Sequence, residues 1–283
     1  MKTLLVPVDF DDPEHREASM KYAIYIAEKM NAKIILYNSI TTPAFASNVA
    51  FEIIEIDDQE KKTIKQLNDL KQELTLNYPK IQFESYPTSS LRPIPEEIID
   101  AAKEKNVDLI IMNTKGTNKL ADIFISSNTI DVIMKSNIPV LVVPEHAPFQ
   151  QISTIAFATD YHFSDKEAIK KLTDIAGLFD ARVIVVHIQD NEINYEHEYN
   201  ILDGFRAKVK EYITYPNLSF KLIKDANIHH GLDEFIKEFN VDILALASHQ
   251  RGAMNRLFGS SVAKEFAYHT HIPLMVFRIN NSD

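Results

Sequence analysis

The sequence predicts an α/β protein made of two tandem domains, each a doubly wound open parallel sheet of five strands with four helices. Three observations carry this prediction. First, short stretches recur in the same order in both halves of the 283-residue chain. Ala32-Lys33-Ile34 is answered by Ala181-Arg182-Val183, and Tyr78-Pro79-Lys80-Ile81-Gln82-Phe83 by Tyr215-Pro216-Asn217-Leu218-Ser219-Phe220. Asn106-Val107-Asp108 is answered by Asn240-Val241-Asp242, and Ile138-Pro139-Val140 by Ile272-Pro273-Leu274. The spacing between partners shrinks along the chain and then stays constant, as insertions in loops between matched elements require. A repeat of about half the chain far exceeds the roughly 20 to 50 residues of a solenoid unit, so it marks a duplicated domain. Second, β-branched runs alternate with helical stripes, the pattern of a parallel sheet with right-handed crossovers. Third, Ile34 to Tyr37 and Val183 to His187 read as strands apolar on both faces, as a sheet covered on both sides demands. The architecture expected is Rossmann-like. The junction falls near Pro144 to Gln151, where Pro144, His146, Pro148 and two Gln interrupt the pattern. This gives domains 1–146 and 151–283, each of ordinary size.

The elements follow in order. Thr3 to Asp9 is the first strand, and Asp12-Pro13 supplies an N-cap carboxylate and the fixed φ of a first helical turn. Ala23, Ile26, Ala27 and Met30 then form one apolar stripe. The second half repeats this with Ile155 to Thr159, a capping box from Ser164 to Glu167, and a stripe at Ala168, Leu172, Ile175, Ala176 and Phe179. After the second strand comes a polar helix, stopped by Asn77-Tyr78-Pro79 or Thr214-Tyr215-Pro216, and then a third strand. The third helix is Pro95 to Lys105 or Leu232 to Phe239. The fourth strand is Asp108 to Met112 or Asp242 to Leu246, and a fourth helix and fifth strand close each half. Thr41 to Ile56 is a long, partly apolar connection present in the first half only; it reads as a lid or partner surface, or as a helix extension.

Composition narrows the function classes. Thirty basic side chains stand against 40 acidic ones, a net charge of -10, so nucleic acid is not an expected partner. With no cysteine there are no disulfides, thiolate metal sites or cysteine nucleophiles. The opening MKTLLVPVDF has an apolar run too short for a secretory signal, and no run approaches the roughly 20 residues of a membrane span. A soluble cytoplasmic protein without a membrane partner is expected. Eight histidines lie in the second half, scattered rather than at metal-ligand spacing, so no metal is expected. There is no G-x-S-x-G elbow, Walker A loop or G-x-G-x-x-G.

Open parallel sheets bind ligands beyond the carboxyl ends of their strands, where the strand order switches. Two loops therefore matter. The first strand ends in Asp9 in one half and Asp160 in the other, carboxylates able to accept from the amine of a base or from a ribose hydroxyl, or to act as turn formers and caps. The loop after the fourth strand reads Asn113-Thr114-Lys115-Gly116-Thr117 and runs on to Ser126-Ser127-Asn128-Thr129 at a helix start. Amides and hydroxyls there suit phosphate, with Lys115 adding charge; the plain alternative is that Ser127 or Asn128 caps the helix. The second-half loop is Ala247-Ser248-His249-Gln250-Arg251-Gly252, ending in Gly259-Ser260-Ser261, with Arg251 and Arg256 as anion partners or solvated charges.

These stretches together resemble a known family. LLVPVDF, EEIIDAAKEKNVDLIIMNTKG and SSNTIDVIMKSNIPVLVVPE, echoed by NVDILALASHQRG and GSSVAKEFAYHTHIPLMVF, make the chain similar to a tandem universal stress protein over essentially its whole length. Nucleotide-binding members carry G-x2-G-x9-G-[ST] after the fourth strand and an aspartate at the end of the first. By position the resemblance assigns Asn113, Gly116, Ser126 and Ser127 in the first half, with Asp9, and Ala247, Gln250, Ser260 and Ser261 in the second, with Asp160. One of the three glycines survives in the first half and none in the second. A Cβ at those positions obstructs close approach of backbone to phosphate, and Gln250 fills more of that space than Asn113.

The resemblance thus implies a non-enzymatic stress-response protein with a weak site for ATP or another adenine nucleotide in the first domain only. It also implies that the sister domains pair as a pseudo-dimer through their last strands, that the chain forms a homo-oligomer and that a regulatory protein is its partner. Two alternatives stand beside it: a scaffold or binder of another small ligand that has lost nucleotide, and a slow ATP hydrolase.

Overall fold

A computed structural model describes residues 2–10, 13–41, 49–90, 92–116, 123–124, 126–189, 195–249 and 271–279. The chain divides into two compact units, one of Met1–Lys115 with Ser126–Glu145, the other of Gly116–Ile125 with His146–Asp283.

In the first unit the order is β1 (Lys2–Pro7), α1 (Pro13–Met30), β2 (Ala32–Thr41), α2 (Val49–Asn77), β3 (Phe83–Ser90), α3 (Ile94–Glu104) and β4 (Leu109–Asn113). Between β4 and α4 (Ser127–Lys135) the chain forms a two-stranded ladder of β5 (Lys115–Gly116) and β6 (Ile123–Phe124), grouped from Gly116 to Ile125 with the second unit, and β7 (Val140–Val143) closes the first. The strands run β3-β2-β1-β4-β7, all parallel, so the order switches between β1 and β4. The centre of the sheet is apolar on both faces: Leu4, Leu5, Ile34, Ile35, Leu36, Ile110 and Ile111 are wholly buried. Of the long connection from Thr41, the part from Val49 onward is helix, and residues 42–48 lie outside the described residues.

The second unit repeats the plan with β8 (Thr154–Ala158), α5 (Asp165–Ala176), β9 (Arg182–Gln189), α6 (Tyr195–Tyr212), β10 (Leu218–Lys224), α7 (Ile228–Phe239), β11 (Ile243–His249) and β12 (Leu274–Ile279). Its order, β10-β9-β8-β11-β12, is again parallel throughout and switches between β8 and β11. The fold is therefore doubly wound α/β in both units, as expected. The fourth helix expected in the second half falls within 250–270, outside the described residues.

The repeated Asn-Val-Asp triplet has a structural reason. Asn106 and Asn240 leave α3 and α7 through the left-handed region, at φ 50 and 48, which asparagine tolerates better than most residues. The N–H groups of Asn106 and Val107 donate to the carbonyls of Lys103 and Ala102, and those of Asn240 and Val241 to Lys237 and Ile236, the paired bonds of a Schellman stop. Val107 and Val241 are buried. Asp108 then accepts the Thr3 N–H at 2.8 Å, and Asp242 accepts those of Ser153 and Thr154 at 2.7 and 2.8 Å. One triplet stops a helix, seats an apolar side chain and fastens the start of the central strand.

The capping box expected at Ser164 is not formed. Ser164 is itself helical in backbone, at φ -71 and ψ -13, and its hydroxyl makes no cap bond. An N-cap side chain reaches back to the helix from an extended residue, and Ser164 is not extended. The Thr159 hydroxyl instead donates to the Asp165 carboxylate at 2.6 Å.

Candidate functional site

Both loops singled out in the first half meet at the β1/β4 switch. Asp9 lies just beyond β1, half-buried, on a stretch fastened to β2: the Val8 N–H donates to the Tyr37 carbonyl and the Asn38 side-chain amide to the Val8 carbonyl, each at 2.7 Å. Asn113 closes β4. Its side-chain oxygen is buried and has no hydrogen-bond partner among the described residues, and the same holds for the hydroxyl of the next residue, Thr114, which sequence reasoning passed over. The Thr114 backbone is held by the Val143 carbonyl at 3.1 Å. Two adjacent buried polar atoms thus end the strand beside the start of α4. Leaving each unsatisfied costs about 1–3 kcal/mol.

Ser126 is the N-cap of α4, rather than Ser127 or Asn128, the residues named in the alternative capping reading. Its hydroxyl accepts the Thr129 N–H at 3.2 Å and pairs with the Thr129 hydroxyl at 3.0 Å. Its backbone is extended, at φ -62 and ψ 152, the geometry a cap needs. Ser127 is the first helical residue and is exposed. The remaining first-turn N–H groups of this nine-residue helix carry its positive end. Lys115 and Gly116 form β5, and Ser260 and Ser261 lie outside the described residues, as do Gln250, Arg251 and Arg256.

In the second half Asp160 is exposed after β8. Next to it Tyr161, at φ 59, stacks on His187 with ring centroids 4.3 Å apart and approaches Phe205 at 5.6 Å. The His187 imidazole meets the Thr159 carbonyl at 2.7 Å, the same part that Asn38 plays toward Val8. Aromatic rings thus gather at the corresponding end of this sheet.

A further polar cluster, not anticipated from sequence, lies at the ends of β2 and β3. Glu97, in the first turn of α3, is 6% exposed. One of its oxygens accepts from the hydroxyls of Ser39, Thr88 at 3.2 Å and Tyr37 at 3.4 Å. Its other oxygen, Oε1, is buried without a partner among the described residues. Burial pushes the Tyr37 phenol up to about 12, so it remains a donor at neutral pH. The available signal was Glu97 on the stripe of Ile98, Ala101 and Ala102, an acid among core positions.

The fold defines a duplicated α/β protein with an open parallel sheet in each unit. The sequence profile of the universal stress protein family matches residues 1–144 and 221–278, and the chain belongs to that family. A universal stress protein of Methanocaldococcus jannaschii is 26% identical over 147 residues, covering 50% of this chain and 81% of its own. A second from the same organism is 50% identical over 48 residues, covering 17% of this chain and 30% of that protein. Among solved structures, a universal stress protein from Archaeoglobus fulgidus superposes with a TM-score of 0.71 at 16% identity, covering 98% of both chains. A putative universal stress protein from Pseudomonas aeruginosa gives 0.68 at 16% identity, over 98% of this chain and 93% of that one. At such identity the structural likeness speaks for the fold. No helix among the described residues is long and apolar enough to cross a membrane, and no group of His, Asp or Glu among them is placed to hold a metal ion.

Proposed function

We propose that the first-half crevice binds ATP or another adenine nucleotide weakly, and that the chain acts as a non-enzymatic stress-response module of two domains, 1–146 and 151–283. The observation that carries this reading is the pair of buried atoms, Asn113 Oδ1 and Thr114 Oγ1, left without a partner among the described residues at the β1/β4 switch. A ribose hydroxyl satisfies the first as donor, and a ribose or phosphate oxygen accepts from the second. Asp9 stands across the switch as acceptor for the base or sugar, and the first turn of α4 offers N–H groups to phosphate.

The affinity is weak for two reasons. Asn113 brings a Cβ where the family pattern has glycine, and Ser126 spends its hydroxyl on capping its own helix. No triphosphate binds in the second half, where Ala247 and Gln250 replace the glycines and the Tyr161–His187 stack stands at the strand ends. That stack also favours, for the second half alone, the role of scaffold or binder of another small ligand. The module signals through a protein partner in a homo-oligomer.

Calorimetric titration of the full chain with ATP, ADP and AMP, with and without magnesium, tests the binding. Release of phosphate from ATP at a rate above the spontaneous one would contradict the non-enzymatic part.

A further inference from the structure

Phe163, in the turn before α5, and Tyr212, the last residue of α6, are the two most exposed aromatic residues among those described, at 54% and 67%. Their rings meet at one place. The Lys166 ammonium, in the first turn of α5, lies 3.9 Å from the centre of the Phe163 ring and 4.5 Å from that of Tyr212. The Lys208 ammonium, one turn before Tyr212 on α6, lies 5.3 Å from the Phe163 ring. All four residues belong to the second unit.

These two lysines rest on rings where their neighbours rest on acids. Lys170 on α5 pairs with Asp174 and Arg206 on α6 with Asp203, whereas among the described residues neither Lys166 nor Lys208 meets a carboxylate. Glu167 and Glu211, nearby in sequence, are exposed and bridge to neither. A ring face attracts an ammonium without neutralising it, so both charges stay available to acids from outside. The fold does not require the rings. Counting from the Tyr-Pro pairs that stop α2 and α6, Tyr212 corresponds to Thr75, whose hydroxyl turns back to the Lys71 carbonyl at 2.7 Å. Phe163 stands as far beyond Asp160 as Asp12 stands beyond Asp9. The first half thus builds the same architecture with a threonine and an aspartate at these positions.

Exposed apolar side chains gathered in one patch with polar groups around them mark an interaction surface, and aromatic residues supply much of the anchoring in such surfaces. The local charge is positive on a chain of net charge -10, so the complement is acidic with an apolar group beside the acids. Both ammoniums reach the same ring, which puts them within the span of one short segment. Side chains two residues apart in an extended peptide face the same way, about 7 Å from each other. A single-stranded nucleic acid also offers anions and rings, but the overall charge opposes its long phosphate backbone far more than it opposes two carboxylates.

We propose that Phe163, Lys166, Lys208 and Tyr212 form a docking surface for an acidic, extended segment of a partner protein, of the pattern acid-x-acid-x-aromatic. Its two carboxylates take the lysines, and its ring lies on the exposed faces of Phe163 and Tyr212. The assignment rests on the reading that the module acts through a protein partner, and adds the face it uses. The same face of a second copy does not fit, since lysine would meet lysine.

The chain has no tryptophan, so a tryptophan-bearing peptide reports its own burial by fluorescence. The full chain is titrated with end-blocked Gly-Glu-Ser-Glu-Ser-Trp-Gly and with the counterpart in which lysine replaces both glutamates. The overall charge favours the lysine peptide, so only a local positive surface reverses the order. The glutamate peptide should bind roughly three- to tenfold tighter, the yield of two exposed ion pairs. That preference should vanish in the double variant Lys166→Gln, Lys208→Gln, and return in Lys166→Arg, Lys208→Arg, which keeps charge and ring contact. Equal binding of the two peptides, tighter binding of the lysine peptide, or a preference that survives loss of both lysines overturns the proposal and leaves the partner reading standing. An oligothymidylate that displaces the glutamate peptide and is itself lost in the glutamine double variant also overturns it, assigning the face to nucleic acid.

Discussion

Asp242 accepts the backbone N–H of Thr154 at 2.8 Å and returns its own N–H to the Thr154 carbonyl at 2.9 Å, a closed ring between residues 88 apart in the chain. The same carboxylate also takes the Ser153 N–H and hydroxyl at 2.7 and 2.9 Å. Thr154 is buried, so its N–H has no water to turn to. Asp242→Ala should therefore lower the unfolding free energy by about 2–3 kcal/mol, read as a lower urea midpoint with an unchanged slope. An unchanged midpoint would show that the ring is not needed.

Two glycines separate packing from propensity. Gly231 is closed in by Asp225 and Ile188, and Gly231→Ala forces backbone or side chains apart at a cost of about 1–3 kcal/mol. Gly204, within α6, has nothing among the described residues within 4 Å of an added Cβ. Gly204→Ala should stabilise by about 0.5–1 kcal/mol through lost chain entropy. Denaturant titration of both variants checks the pair, and shifts of the same sign would contradict the packing described.

His230 and Asp225 make stability depend on pH in a defined sense. The hydrogen bond to Asp225 raises the His230 pKa above 6.5, and the same contact lowers that of Asp225 below 3.8. The histidine contribution is fully present below 6.5 and is lost as pH rises through the raised value. The aspartate contribution is present above 3.8 and is lost as pH falls through the lowered one. Proton NMR titration of the His230 ring should give a pKa above 6.5 that returns toward 6.5 in Asp225→Asn. A value at or below 6.5 in the unaltered chain would remove the pair from the account.

Sequence periodicity was enough for the architecture because its signals are local. Continuous apolar strands, helical stripes and the Asn-Val-Asp stop each report a neighbourhood of a few residues, and the repeat reports them twice. Site details depended on tertiary placement. Whether Ser126, Ser127 or Asn128 caps α4 turns on one extended backbone residue, and all three residue types suit the task. Thr114 looked like any loop hydroxyl, yet it is buried, its backbone tied to Val143 of β7. Glu97 gains its meaning from Ser39 and Thr88, 58 and 9 residues away, on strands that only the fold brings beside α3. The aromatic pair of Tyr161 and His187 likewise joins two strand ends that no spacing rule links.

The nucleotide reading meets its most direct test in a crystal of the full chain soaked with ATP. The account predicts density at the first-half switch, with the ribose on Asn113 and Thr114, the phosphates at the start of α4 and the base side near Asp9. It also predicts that soaking Asp9→Ala crystals leaves that density weaker or absent. A triphosphate seated instead on the amides of Ser260 and Ser261, with the first-half switch empty, would contradict it.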